Sequence, residues 1–229
     1  MATGLNLMKL KHELGFVPRT ILDIGAQIGD FYRECKQVWP DSQIMMIEAT
    51  QECESYLKDT GGNYLIAVLS DTKKTIPFYK TKLAETNTGN SVYKELTSAY
   101  SDDNLIVEER TTYTLDELYD GYTATFDLIK IDTQGSEIDI LNGGSHMIKN
   151  TTAIILEVSH VEYNEKAPLV DEVKEYMKSI GFVYNMEIGR SYSKCRRMRS
   201  IYWNYIEKFS KILRMIMTSY KSLKINWRH

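Results

Sequence analysis

The chain has 229 residues, 43% of them hydrophobic and 26% charged, with a formal net charge of -3 and a mean hydropathy of -0.35, which suits one globular α/β-sized domain with a substantial core. No apolar run approaches the roughly 20 residues of a bilayer span, and Met1–Glu13 carries charges where a secretory signal has its apolar centre, so a cytoplasmic protein is expected. The widely spaced Cys35, Cys53 and Cys195 form no CxxC or Cys/His pattern, which argues for a reducing compartment over a disulfide framework.

Residues 5–15 predict a short helix stopped by Gly15, and Arg19–Ile24 a β-branched strand ending at Gly25. Asp30–Val38 reads as a helix closed by Pro40, Gln43–Ile47 as a strand, Gln51–Lys58 as a helix and Tyr64–Leu69 as a third strand. Thr75–Tyr79 predicts a short extra strand and Ala84–Ser91 a polar loop. A helix is expected over Thr112–Tyr119, with Thr114 and Glu117 at capping-box spacing. The strand Phe126–Ile131 leads into a helix through Ile138, Leu141 and Ile148, then the fully apolar strand Ala153–Glu157. Leu169–Ile180 is an amphipathic helix stopped by Gly181, and Phe182–Ile188 and Arg199–Asn204 are two closing strands around a basic loop, Lys194–Arg199.

This order predicts a Rossmann-like, doubly wound, mostly parallel seven-stranded sheet with a terminal antiparallel strand pair over residues 1–204. Beyond it, residues 205–229 form a C-terminal extension. From Arg190 to His229 there are eleven Lys and Arg against the single acid Glu207. Ile206, Phe209, Leu213, Ile216, Tyr220 and Leu223 fall on one helical stripe, with Lys208, Lys211, Arg214 and Lys221 largely off it. That is a basic amphipathic helix. Packing on the domain or on a second copy, docking on a membrane surface and nucleic-acid binding are its three readings.

The chemistry gathers at strand ends. Asp23-Ile-Gly-Ala-Gln-Ile-Gly29 gives a tight turn at Gly25 and a close approach at Gly29, spaced GxxxG where a dinucleotide fingerprint has GxGxxG. About 20 positions on, Glu48 ends the second strand, where an acid accepts hydrogen bonds from ribose hydroxyls. With no third glycine for a pyrophosphate, an adenosine ligand without phosphates fits better. A bare strand-to-helix turn remains the alternative for the glycine segment alone.

The chain resembles the FkbM-type methyltransferases, a family of class I S-adenosylmethionine-dependent enzymes. The resemblance spans about residues 5–204 and runs through Ile21–Gly29, Ile47-Glu48, Ala67–Asp71, Thr88–Ser91, Thr114–Asp116, Asp127–Glu137 and Ile155–Glu157. Lys130-Ile-Asp-Thr-Gln-Gly-Ser-Glu137 is its most specific part. Where the family usually has Pro and Glu, this chain has Ala49 and Gln134.

The resemblance implies that Asp23, Gly25, Ala26 and Gly29 face the methionine part of S-adenosylmethionine, Glu48 the ribose with Ala49 beside it among the cofactor contacts, Val68–Asp71, with Ser70 and Asp71, the adenine, and Asp132 the amino group or the methyl. Candidates for the group that removes the acceptor's proton are His160, Asp132 and Glu157. Asp132 and Glu157 are alternatively ligands for Mg²⁺, and His160 is alternatively a surface residue. Glu137 is expected to interact with the N-terminus of its own helix. Thr86–Ser91 is read as part of an acceptor pocket or as an ordinary exposed loop.

The family association implies O-methylation of a hydroxyl on a sugar or glycan. The alternatives are ribose methylation of an RNA cap, for which Lys130, Asp132 and Glu157 match only part of the needed set, and a non-catalytic binder of the cofactor. Because Lys130 alternates with Ile129 and Ile131, it need not face the crevice.

Overall fold

The computed structural model describes residues 5–119, 125–193 and 196–205. Lys194, Cys195 and the expected basic helix over 205–229, beyond Tyr205, lie outside the described residues.

The elements in chain order are α1 (Leu7–Glu13), β1 (Thr20–Ile24), α2 (Asp30–Val38), β2 (Gln43–Glu48), α3 (Glu54–Asp59), β3 (Asn63–Ile66), β4 (Val68–Leu69), β5 (Thr75–Thr81), β6 (Leu105–Tyr113) and α4 (Leu115–Leu118). They continue with β7 (Leu128–Ile131), α5 (Glu137–Gly143), α6 (Ser145–Asn150), β8 (Ala153–Ser159), α7 (Val170–Ser179), β9 (Phe182–Ser193) and β10 (Arg196–Tyr205). Seven strands form one sheet in the order β3-β2-β1-β7-β8-β10-β9. All are parallel except β10, which runs against both β8 and β9.

Alternation along β1 sends its side chains to opposite faces of the sheet. Leu22 and Ile24 pack with Ile140, Leu141 and Met147 on one face, while Ile21 packs with Leu10, Phe31 and Cys35 on the other. Both faces are covered, as a parallel sheet requires. The strand order reverses between β1 and β7, whose carboxyl ends therefore flank a crevice.

Several boundaries differ from the sequence expectation. The stretch 64–69 is not one strand. Ala67 still donates its N–H to the Glu48 carbonyl (2.9 Å), after which β4 joins a second, three-stranded sheet ordered β4-β6-β5. The start of the helix expected at Thr112 is instead the end of β6, and only Leu115–Leu118 is helical, with Thr114 Oγ1 accepting from the Glu117 amide (3.0 Å).

The helix expected through Ile148 breaks into α5 and α6. A Cβ on Gly143 would lie 2.1 Å from the Ser70 carbonyl oxygen, so this turn packs directly on the backbone after β4. Asp116 then accepts from the amides of His146 and Met147 (2.9 and 3.0 Å), capping α6 from another element. Arg196–Arg199, read as loop, begins β10.

Candidate functional site

The crevice holds a cavity of about 420 Å³, within the size range of small-molecule sites. Its floor is the turn after β1. Gly25 has φ +75°, and a Cβ there would sit 1.9 Å from the Asp132 carbonyl oxygen, so only glycine lets β1 and the end of β7 come this close. The Gly25 and Ala26 amides donate to the Ile47 carbonyl (2.9 and 3.1 Å), tying the turn to β2.

Glu48 ends β2 and lines the cavity. Its Oε2 accepts from the Gln27 amide (2.8 Å) and its Oε1 from the Thr50 amide (2.7 Å), which fixes the carboxylate by two backbone donors. Gln27 is itself strained, with φ +50° in the left-handed region. That conformation aims its N–H at Glu48, and its side-chain Nε2 donates to the Thr86 carbonyl (2.7 Å), latching the 84–91 loop over the turn.

Asn87, Thr88, Asn90 and Ser91 of that loop line the cavity. Ser91 Oγ donates to the carbonyls of Thr133 and Gln134 (2.9 and 3.1 Å), joining the loop to the opposite wall.

The opposite wall is charged. Asp23 pairs directly with Lys130 across β1 and β7, so both side chains lie on the Phe31 face of the sheet. Asp23 is fully buried and lies behind the lining, with its Oδ1 3.2 Å from Lys130 Nζ. The same ammonium donates to the Gly25 carbonyl (3.0 Å) and lies 3.4 Å from Asp132 Oδ2. Burial raises the Asp23 carboxyl despite Lys130. Burial also opposes the charge on Lys130, but Asp23 and Asp132 outweigh it and raise the ammonium well above its ordinary value.

Lys130 therefore does face the crevice, yet its ammonium is engaged by Asp23, Asp132 and Gly25. Asp132 and Glu157, from the ends of β7 and β8, both line the cavity. Burial pushes Asp132 up, but Lys130 and the side-chain hydrogen bonds to Glu157 and Gln134 leave it below the ordinary carboxylate range.

Between these carboxylates lies Gln134, with φ +58° and 4% exposure. Its Nε2 donates to Asp132 Oδ1 (3.0 Å) and to Glu157 Oε2 (2.9 Å). Glu137 secures this segment. Its carboxylate accepts from the amides of Thr133 and Gly135 (both 3.0 Å) at the entry to α5, and burial pushes it up to about 7 against those bonds.

The structure thus brings Gly25, Ala26, Glu48, Ala49, Asp132 and Glu157 to one cavity. Gly29 (φ +85°) caps α2 outside the lining. Ser70 bonds Asp71 (2.9 Å), which is paired with Lys74 (2.6 Å); both follow β4 into the small sheet, leaving Val68 and Leu69 on the wall. His160 follows β8 and does not border the cavity. Among the described residues no three His, Cys, Asp or Glu side chains are placed to hold a metal ion, and what lies between Asp132 and Glu157 is an amide. No helix among the described residues is long and apolar enough to cross a membrane.

Sequence reasoning did not single out Gln27 or Gln134 for the site, and named Lys130 only for the RNA alternative. Gln27 and Gln134 lie inside the two motif segments, which is the signal that was available.

Residues 23–184 match the methyltransferase FkbM domain family, well over half of the chain. No curated protein matches the sequence. Among solved structures, the fold is similar to magnesium protoporphyrin IX methyltransferase from Synechocystis PCC 6803. The structure with bound SAM has 7% identity and a TM-score of 0.51, covering 87% of this chain and 76% of that one. The structure with bound SAH has 7% identity and a TM-score of 0.50, covering 87% and 80%. An S-adenosylmethionine-dependent methyltransferase from Clostridium acetobutylicum ATCC 824 gives 9% identity and 0.49, covering 87% and 89%.

Proposed function

This chain belongs to the methyltransferase FkbM domain family, and we propose that it uses S-adenosylmethionine to methylate a hydroxyl oxygen of a sugar or glycan. One observation carries the reading. At the switch between β1 and β7, the Gly25 turn, the Glu48 carboxylate and the Asp132–Glu157 pair meet in one cavity of about 420 Å³.

The residues fit the donor. The turn closes only without a Cβ at Gly25, which brings backbone rather than side chain against a ligand. Glu48 Oε1 and Oε2 each accept one backbone N–H, and each oxygen has a second lone pair for a ribose hydroxyl. When bound, S-adenosylmethionine supplies a methyl carbon already activated by its positive sulfur.

The protein's own part is to hold the acceptor in line and take its proton. Asp132 and Glu157 are the carboxylates on the far wall suited to accept that proton. The hydroxyl assignment rests on the family resemblance, as does the sugar or glycan class.

A methyl-transfer screen over monosaccharides, glycans, small alcohols and capped RNA tests the acceptor class. Turnover on a glycosyl hydroxyl is expected, and turnover on RNA alone would overturn it.

A further inference from the structure

Asp132 and Glu157 end adjacent parallel strands and face one cavity. Two carboxylates so placed repel, and such pairs elsewhere share a proton or take up a cation. Here Asp132 and Glu157 hydrogen-bond each other, and a third group ties both to the wall. A primary amide has two N–H groups, and Gln134 directs one to each carboxylate, at 3.0 and 2.9 Å. Because a charged carboxylate can only accept, the amide has one orientation, which leaves Oε1 on the side away from both.

The backbone holds Gln134 in place at a cost. Its left-handed φ of +58° is unfavourable for a non-glycine residue. Ser91 Oγ donates to its carbonyl, and Glu137 accepts from the amides of Thr133 and Gly135 on either side. Lys130 supplies positive charge from the β1 side, 3.4 Å from Asp132 Oδ2.

We propose that Gln134 is a positioning residue of this site, its side-chain amide fixing Asp132 and Glu157 against each other at the cavity wall in the place a metal ion would otherwise take. It touches neither donor nor acceptor in this role. It keeps the carboxyl pair in place at the wall, and it deepens the methyltransferase reading, on which only the naming of the reaction rests.

Melting temperatures at neutral pH, with and without millimolar manganese chloride, test this on the full chain. Gln134→Ala removes the amide that bonds both carboxyls and is expected to melt about 4–8 °C lower. Adding Glu157→Gln to it returns an amide donor to Asp132, so at least half of that loss should be recovered. Losses that simply add would overturn the proposal.

Gln134→Glu sets three carboxylates together, and manganese should raise its melting temperature by several degrees while leaving the wild type unchanged. An equal response from the wild type, or a folded Gln134→Glu indifferent to manganese, would also overturn it. If Gln134→Glu does not fold, the Ala and Ala/Gln pair decides alone. No methyl donor enters these measurements, so their failure is distinct from failure of the enzyme assignment.

Discussion

Gly25 and Asp132 approach so closely that a single added methyl would stand 1.9 Å from the Asp132 carbonyl oxygen. This contact sets the spacing between the glycine turn after β1 and the acidic end of β7. Gly25→Ala must therefore both push the strand ends apart and adopt φ near +75° with a Cβ. A loss of about 2–4 kcal/mol is expected in urea unfolding, together with loss of cofactor-product binding. Near-wild-type stability would show that the contact is dispensable.

Lys130 is the counter-ion for buried Asp23 and half-buried Asp132, and its removal should expose that dependence. Lys130→Met leaves Asp23 and Asp132 without their cation, a change expected to cost about 3–5 kcal/mol at neutral pH. The cost should shrink at acid pH, where the carboxyls take up protons. Asp23→Asn in the same chain should recover part of it. Denaturant titrations of the three variants measure both effects.

The Glu137 carboxyl, pushed by burial up to about 7, links stability to pH. A folded-state value above the unfolded value means the folded chain binds the proton more tightly between about 4.5 and 7. Its contribution is full below about pH 4.5 and is lost as pH rises through 7. The stability of the wild type relative to Glu137→Gln should therefore fall by on the order of 2–3 kcal/mol between pH 5 and pH 8. A pH-independent difference would mean that Glu137 keeps an ordinary carboxyl.

The Gln27 latch makes a kinetic prediction. Its side-chain amide is the bond from the glycine turn to the Thr86 carbonyl. Gln27→Ala should leave global stability within about 1 kcal/mol while speeding amide hydrogen exchange in residues 84–91. Unchanged exchange there would show that the bonds from Tyr79, Tyr100 and Ser91 secure the loop without Gln27.

The parallel frame was legible because buried strands such as Phe126–Ile131 and Ala153–Glu157 are continuous apolar runs closed by turn residues. β6 was not, because Glu108, Glu109 and Arg110 give a half-exposed strand the look of a loop. Nor was the break at Gly143–Gly144, which depends on the backbone of Ser70, distant in sequence.

In the site, Gly25, Glu48, Asp132 and Glu157 could be picked out because strand ends converge in this topology. Lys130 could not, since only the pairing of Asp23 with Lys130 turns it toward the acids. Gln134 acquires its partners from the register of β7 against β8. Of Val68–Asp71, Val68 and Leu69 line the cavity, while Ser70 and Asp71 follow β4 into the small sheet beyond it.

The most direct test is calorimetric titration of the full chain with S-adenosylhomocysteine, beside Glu48→Ala. The wild type should bind with one site, and Glu48→Ala should weaken binding by tenfold or more, the scale of a lost hydrogen bond to a charged group. No binding by the wild type, or equal affinity in the two proteins, would contradict the account.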